Sequence, residues 1–154
     1  MKKFSSIILA LLFIITSSIC SFASQISINS NNETIKYEDG SYVIISITTD
    51  HNDFYTTSKS AKKDYKFFNS KDELQWTATV YGTFSFNGTT SSCIKASTAY
   101  KIYNKSWKVK NSTASKKNNS AIGNFTIKHY MIGIPVQTET FKVTLSCKPN
   151  GTLY

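Results

Sequence analysis

Asp50-His51-Asn52-Asp53 is the one place in the chain where a histidine stands among carboxylates. To act as a catalytic site, this cluster would need a nucleophile or a second catalytic group converging on it. To act as a calcium loop, it would need regular ligand spacing and a closing bidentate acid, and it has neither. A solvated turn after a strand fits the composition better. His129 is the only other histidine. Read with a three-residue loop from Gly133 to Pro135, it falls opposite Glu139. That pairing could be a pH-tuned general base, but a cross-strand ion pair near a hairpin tip is the simpler reading. No paired carboxylates, Ser-His-Asp set or phosphate-cradling glycine loop is present. The expectation is therefore no catalytic residue, no cofactor and no metal site. A small hydrolase using Asp50, His51 or His129 is the alternative from another class.

Cys93 and Cys147 are the other chemically active pair. In an exported chain two such thiols are expected to be bonded, which would close a 55-residue span. Chain-entropy reasoning gives such a bridge roughly 4 kcal/mol.

Charge is unevenly placed. All 18 basic residues are lysine. From Ser24 to Ser92 there are 6 Lys against 8 acids, whereas from Cys93 to Tyr154 there are 10 Lys against Glu139 alone. Gatekeeper lysines on strand edges account for part of this. An anionic cell-wall polymer, an anionic lipid surface or a glycan is the functional counterpart. The absence of arginine, the best reader of bases and phosphates, argues against nucleic acid. Exposed aromatics can also stack on sugar rings, so a carbohydrate-binding module is a further alternative. The candidate ligand face is Tyr81, Trp107, Lys108 and Lys110.

The elements that must position these groups are strands. Leu74 to Phe86 alternates Trp76, Ala78, Val80, Gly82 and Phe84 with polar residues, the pattern of a long half-buried strand. Asn87-Gly88 follows as a hairpin turn. Tyr42 to Thr48 reads as a buried β-branched strand, and Tyr65 to Phe68 as a short strand pairing with Leu74–Phe86. Asp50 to Asp64 and Asn111 to Ser120 read as loops, and Gln25 to Lys36 as a mobile start or edge strand. A two-residue turn after Phe86 would put Cys93 on the core face but would also put Lys95 opposite Val80. A bulge near Cys93 resolves the conflict. Ala121–Ile132 and Val136–Cys147 form a closing hairpin whose predicted register sets Ile127 against Phe141, Phe125 against Val143 and Gly123 against Leu145. No helical period is convincing after the N-terminus. The predicted fold is an all-β antiparallel β-sandwich, Ig-like or related, with one domain and one disulfide.

The N-terminus reads as an export signal. Lys2 and Lys3 precede an apolar run from Ile7 to Ile15, and Ser21-Phe22-Ala23 fits the cleavage rule. The run is too short to span a bilayer, and Ile19 disfavours lipidation at Cys20. Cleavage after Ala23 would leave residues 24–154 as one secreted domain without a transmembrane segment, carrying 16 Lys and 9 acids for a net charge of +7.

Several of these residues also form a recognisable set: Glu38-Asp39-Gly40-Ser41-Tyr42, Trp76 with Gly82-Thr83-Phe84 and Asn87-Gly88, Cys93, Trp107, and Cys147 with Gly151-Thr152-Leu153. In this set the chain resembles a widespread, uncharacterised family of small secreted β-rich proteins from clostridial-type Gram-positive bacteria. The resemblance implies export and a β-fold, and it brings no activity and no catalytic residues. The expected function is that of a secreted non-catalytic module binding at the cell surface or beyond it, through a lysine-rich or aromatic face.

Overall fold

Alternation along Leu74–Phe86 places this strand at the centre of the molecule. In the computed structural model, which describes residues 32–49 and 57–154, eight antiparallel strands follow in chain order. They are β1 (Asn32–Lys36), β2 (Tyr42–Thr49), β3 (Ser58–Phe68), β4 (Leu74–Phe86), β5 (Ser91–Ile102), β6 (Trp107–Lys117), β7 (Ser120–Met131) and β8 (Ile134–Ser146). Strands β1 to β5 form one sheet in sequential order and β6 to β8 form a second. Two antiparallel sheets packed on a shared core give the sandwich expected. Within each sheet every strand pairs with its chain neighbour, and the chain passes from one sheet to the other between β5 and β6, so the topology is two meanders rather than the Greek key of an immunoglobulin-type sandwich. Among the described residues no helix is long and apolar enough to cross a membrane. The proposed export signal and the Asp50–Asp53 cluster lie outside the described residues.

The core is the inward phase of β4 against the inward phase of β7 and β8. Trp76, Ala78, Val80 and Phe84 meet Ala121, Phe125, Ile127, Val143 and Leu145, all buried. Two glycines let the sheets approach closely. A Cβ on Gly123 would collide with the Val80 methyl and with Thr98, and one on Gly82 would lie 3.0 Å from Ala121 of the facing sheet and 2.5 Å from the Phe84 ring of its own strand. The polar phase of β4 is also buried at Gln75, Thr77 and Thr79, because β4 is a central strand flanked along its whole length by β3 and β5. Asp64 on β3 serves this phase by accepting a 2.6 Å bond from Thr79 Oγ1 while Lys62 Nζ stands 3.3 Å away.

Four expectations are corrected. Cys93 and Cys147 are free buried thiols and not a disulfide. Their backbone N–H groups bond to successive residues of the β6–β7 turn, Cys93 to Asn118 O and Cys147 to Asn119 O. Their thiols donate instead to the nearby carbonyls of Lys95 (3.3 Å) and Lys148 (3.4 Å). Second, Ser58–Asp64 is strand and not loop, because β4 is long enough to need a partner back to Ser85. Third, Asn111–Lys117 continues β6 because β7 offers a full-length ladder, and the turn shrinks to Asn118-Asn119 with Asn118 left-handed. Fourth, the closing hairpin turns at Ile132-Gly133, so Phe125 meets Phe141 and Gly123 meets Val143, two residues away from the predicted register. His129 consequently lies opposite Gln137 and not Glu139. A shift of two preserves every face, which is why the apolar pattern could not detect it.

The bulge near Cys93 is present. Thr83 pairs with Lys95 and Phe84 with Cys93, which leaves Ile94 as the extra residue, turns Lys95 outward and turns Cys93 inward.

Candidate functional site: a basic outer face and an acidic aromatic cleft

The four residues of the predicted ligand face do not converge. Tyr81 is 41% exposed on the outer side of the five-stranded sheet, opposite Lys62 and Ser97. Trp107 is 5% exposed and belongs to the core. It stacks on His129 at 4.6 Å and meets Phe67 and Trp76 edge-on. Lys108 and Lys110 do come together, on the outer side of the three-stranded sheet. Their ammonium groups stand 5.0 and 5.9 Å from the ring centre of Tyr130, a residue that no sequence pattern singles out.

Strand alternation explains this grouping. Inward positions of β6 and β7 carry Trp107, Val109, Phe125 and Ile127, so Lys108, Lys128 and Tyr130 must face out. A bulge at Lys110 turns it toward the same ring. Lys108 and Lys128 are direct cross-strand partners, an arrangement that like charges normally avoid. Lys142 on β8 continues the face, opposite Asn124. The only acid within these three strands, Glu139, points inward with Phe141. At the end of the face the β7–β8 turn is apolar and uncovered: Ile132 is 97% exposed, with Met131, Ile134 and Val136 beside it.

A second site opens between the sheets at the β1–β2 side. The turn Tyr37–Ser41, with Val43, Tyr65, Phe67 and Trp76 from one sheet and Gln137, Glu139 and Phe141 from β8, encloses a cleft of about 420 Å³. Its floor is a stacked aromatic series: Phe67 on Trp76 at 5.2 Å, Trp76 on Phe141 at 5.3 Å and Phe141 on Tyr65 at 6.0 Å. Glu38, Asp39 and Glu139 are among its lining residues, and no lysine lines it among the described residues. The turn holds Asp39 in place, since Asp39 Oδ1 accepts from Ser41 N (2.9 Å) and Ser41 Oγ (2.6 Å), and Gly40 takes the left-handed conformation the turn needs. Those bonds draw the Asp39 carboxyl below its ordinary range, so it stays ionised in mild acid. Glu139 accepts from Gln137 Nε2 at 2.8 Å. Burial, together with Glu139 and Asp39, pushes the Tyr37 hydroxyl up. Sequence reasoning misses this cleft because Glu38-Asp39-Gly40 has the composition of a plain turn. The usable signal is Glu139, the one acid on the inward phase of a lysine-rich half.

No family model matches the chain, and no curated protein or solved structure shows significant similarity to it.

Proposed function

We propose that this protein is a secreted, non-catalytic β-sandwich module that attaches to an anionic polymer of the cell surface through the outer face of β6–β8. We also propose that it belongs to the clostridial-type family it resembles and that it is exported by cleavage after Ala23. The observation that carries the function is the cluster of Lys108, Lys110 and Lys128 around Tyr130, with no acid on the same face among the described residues. Folding gains nothing from opposing Lys108 and Lys128. A polyanion laid along the strands relieves that repulsion and releases counterions as it binds. Tyr130 keeps two of the ammonium groups at the surface by cation–π attraction.

The test is retention of the mature protein on immobilised poly(glycerol phosphate). Retention should fall steeply between low and physiological salt. A triple Lys108→Gln, Lys110→Gln, Lys128→Gln variant should lose at least tenfold in affinity while remaining as well folded as the wild type. Undiminished binding by the triple variant would end this reading. The exposed turn favours one second reading, an anionic bilayer with Ile132 inserted among the headgroups. Phosphatidylglycerol vesicles separate the two, because Ile132→Asn should weaken vesicle binding alone.

A further inference from the structure

The acidic aromatic cleft runs against the charge of the rest of the molecule. Three acidic residues line it and, among the described residues, no lysine does, in a chain with twice as many basic residues as acidic ones. The single ion pair among the described residues, Lys62–Asp64, lies elsewhere. Acidic residues along one opening, without a lysine among them, favour a cation there over an anion. The hydrogen-bonding capacity is equally one-sided. One N–H of Gln137 Nε2 is committed to Glu139, and Ser41 Oγ to Asp39. What remains for a ligand is a surplus of acceptors, the Tyr37 hydroxyl, the second N–H of the Gln137 amide and one buried donor without a partner. That donor is Trp76 Nε1, buried on the cleft wall with no partner, on a side chain only 3% exposed. An orphaned buried N–H costs stability unless something completes it. The cavity volume is within the roughly 300–1,000 Å³ usual for small-molecule sites.

We infer that the cleft binds a cationic amino sugar, a pyranose ring whose amine is free and protonated. Each part of such a ligand has a counterpart. The ammonium sits among Glu38, Asp39 and Glu139. The C–H face of the ring lies against the aromatic wall, where Tyr37 is half-exposed and Phe141 partly so. A ring or hydroxyl oxygen accepts from Trp76 Nε1. A neutral sugar would leave the carboxylates uncompensated, and a plain alkylamine would leave the tryptophan N–H without an acceptor. This site is separate from the lysine face and does not depend on it.

The decisive comparison is between two ligands of one skeleton. The β-1,4 trisaccharide of glucosamine and its fully N-acetylated counterpart are titrated into the mature protein at about pH 6, followed by tryptophan fluorescence and calorimetry. The free-amine sugar should saturate a single site and the acetylated one should bind at least tenfold more weakly. Asp39→Asn with Glu139→Gln should cost the free-amine sugar a further tenfold or more and leave the acetylated sugar unchanged. The lysine triple variant should bind both sugars as the wild type does. Equal binding of the two sugars, no binding of either, or full affinity in the Asp39/Glu139 variant would overturn the inference. So would a concentration-dependent dimer that the same variant dissolves, because the occupant would then be a lysine of a second copy. If that variant fails to fold, the comparison of the two sugars on the wild type decides the matter by itself.

Discussion

Cys93 and Cys147 show how the surroundings of a residue decide its chemistry. Both are buried and each is tied through its backbone to the same turn, yet the thiols donate to separate carbonyls. Burial pushes both thiols above the ordinary cysteine range; Lys116 opposes this at Cys93 and Lys59 at Cys147. The linkage has a definite sign. The unfolded chain, with thiols near about 8.5, ionises first as pH rises. Stability is therefore fully present below that value and is lost as pH climbs from it toward the raised folded values. Urea midpoints measured at pH 7 and pH 9.5 should show a decline that Cys93→Ala with Cys147→Ala reduces. In denaturant, the two thiols of the chain cleaved after Ala23 should react with a chromogenic disulfide reagent, and in the native state they should react far more slowly. A fully unreactive denatured chain would mean that the bridge forms after all.

Among the elements, the two most strongly patterned regions are the most legible in the sequence. The alternation from Trp76 to Phe84 identifies β4 and its inward face, and the conflict between Cys93 and Lys95 in an unbulged register is enough to locate the bulge. Polar strands are not legible. Ser58–Asp64 and Asn111–Lys117 carry little apolar signal of their own, and they are strands because β4 and β7 supply them with ladder partners. The turn at Ile132-Gly133 is hidden for a related reason. Isoleucine is a poor left-handed residue, so composition points to the next three positions instead. The cleft is illegible because its carboxylates come from a turn and a strand about a hundred residues apart in sequence. Packing at the glycines allows a direct check. Val80 occupies the space above Gly123, so Gly123→Ala must displace the sheets or the Val80 methyl. The substitution should destabilise the fold by about 1–3 kcal/mol, the usual cost of overpacking. Gly88→Ala would meet no atom within 4 Å, although its left-handed backbone adds a smaller strain of its own. Chemical denaturation of the two variants should therefore rank Gly123→Ala well below Gly88→Ala.

At the scale of the whole molecule, Lys108, Lys110, Lys128 and Lys142 share the outer face of the β6–β8 sheet, Glu38, Asp39 and Glu139 line the cleft between the sheets, and one ion pair joins opposite signs among the described residues. A surface so arranged is held against its own repulsion by the core that both sheets share. Two consequences follow from screening. Raising monovalent salt from about 0.01 M to 0.15 M shortens the Debye length from roughly 30 Å to 8 Å, which reaches the spacing of neighbouring surface lysines. The melting temperature should rise over that interval, because repulsion on the lysine face is weakened more than the single Lys62–Asp64 pair. A short polyphosphate at low salt should raise it further, since it binds the folded face in preference to the extended chain. The Lys108→Gln, Lys110→Gln, Lys128→Gln variant should start from a higher melting temperature at low salt and respond less to both additions. A wild-type melting temperature that falls with salt would mean that attraction dominates over repulsion across the surface, and the unpaired lysines would then need no partner to account for them.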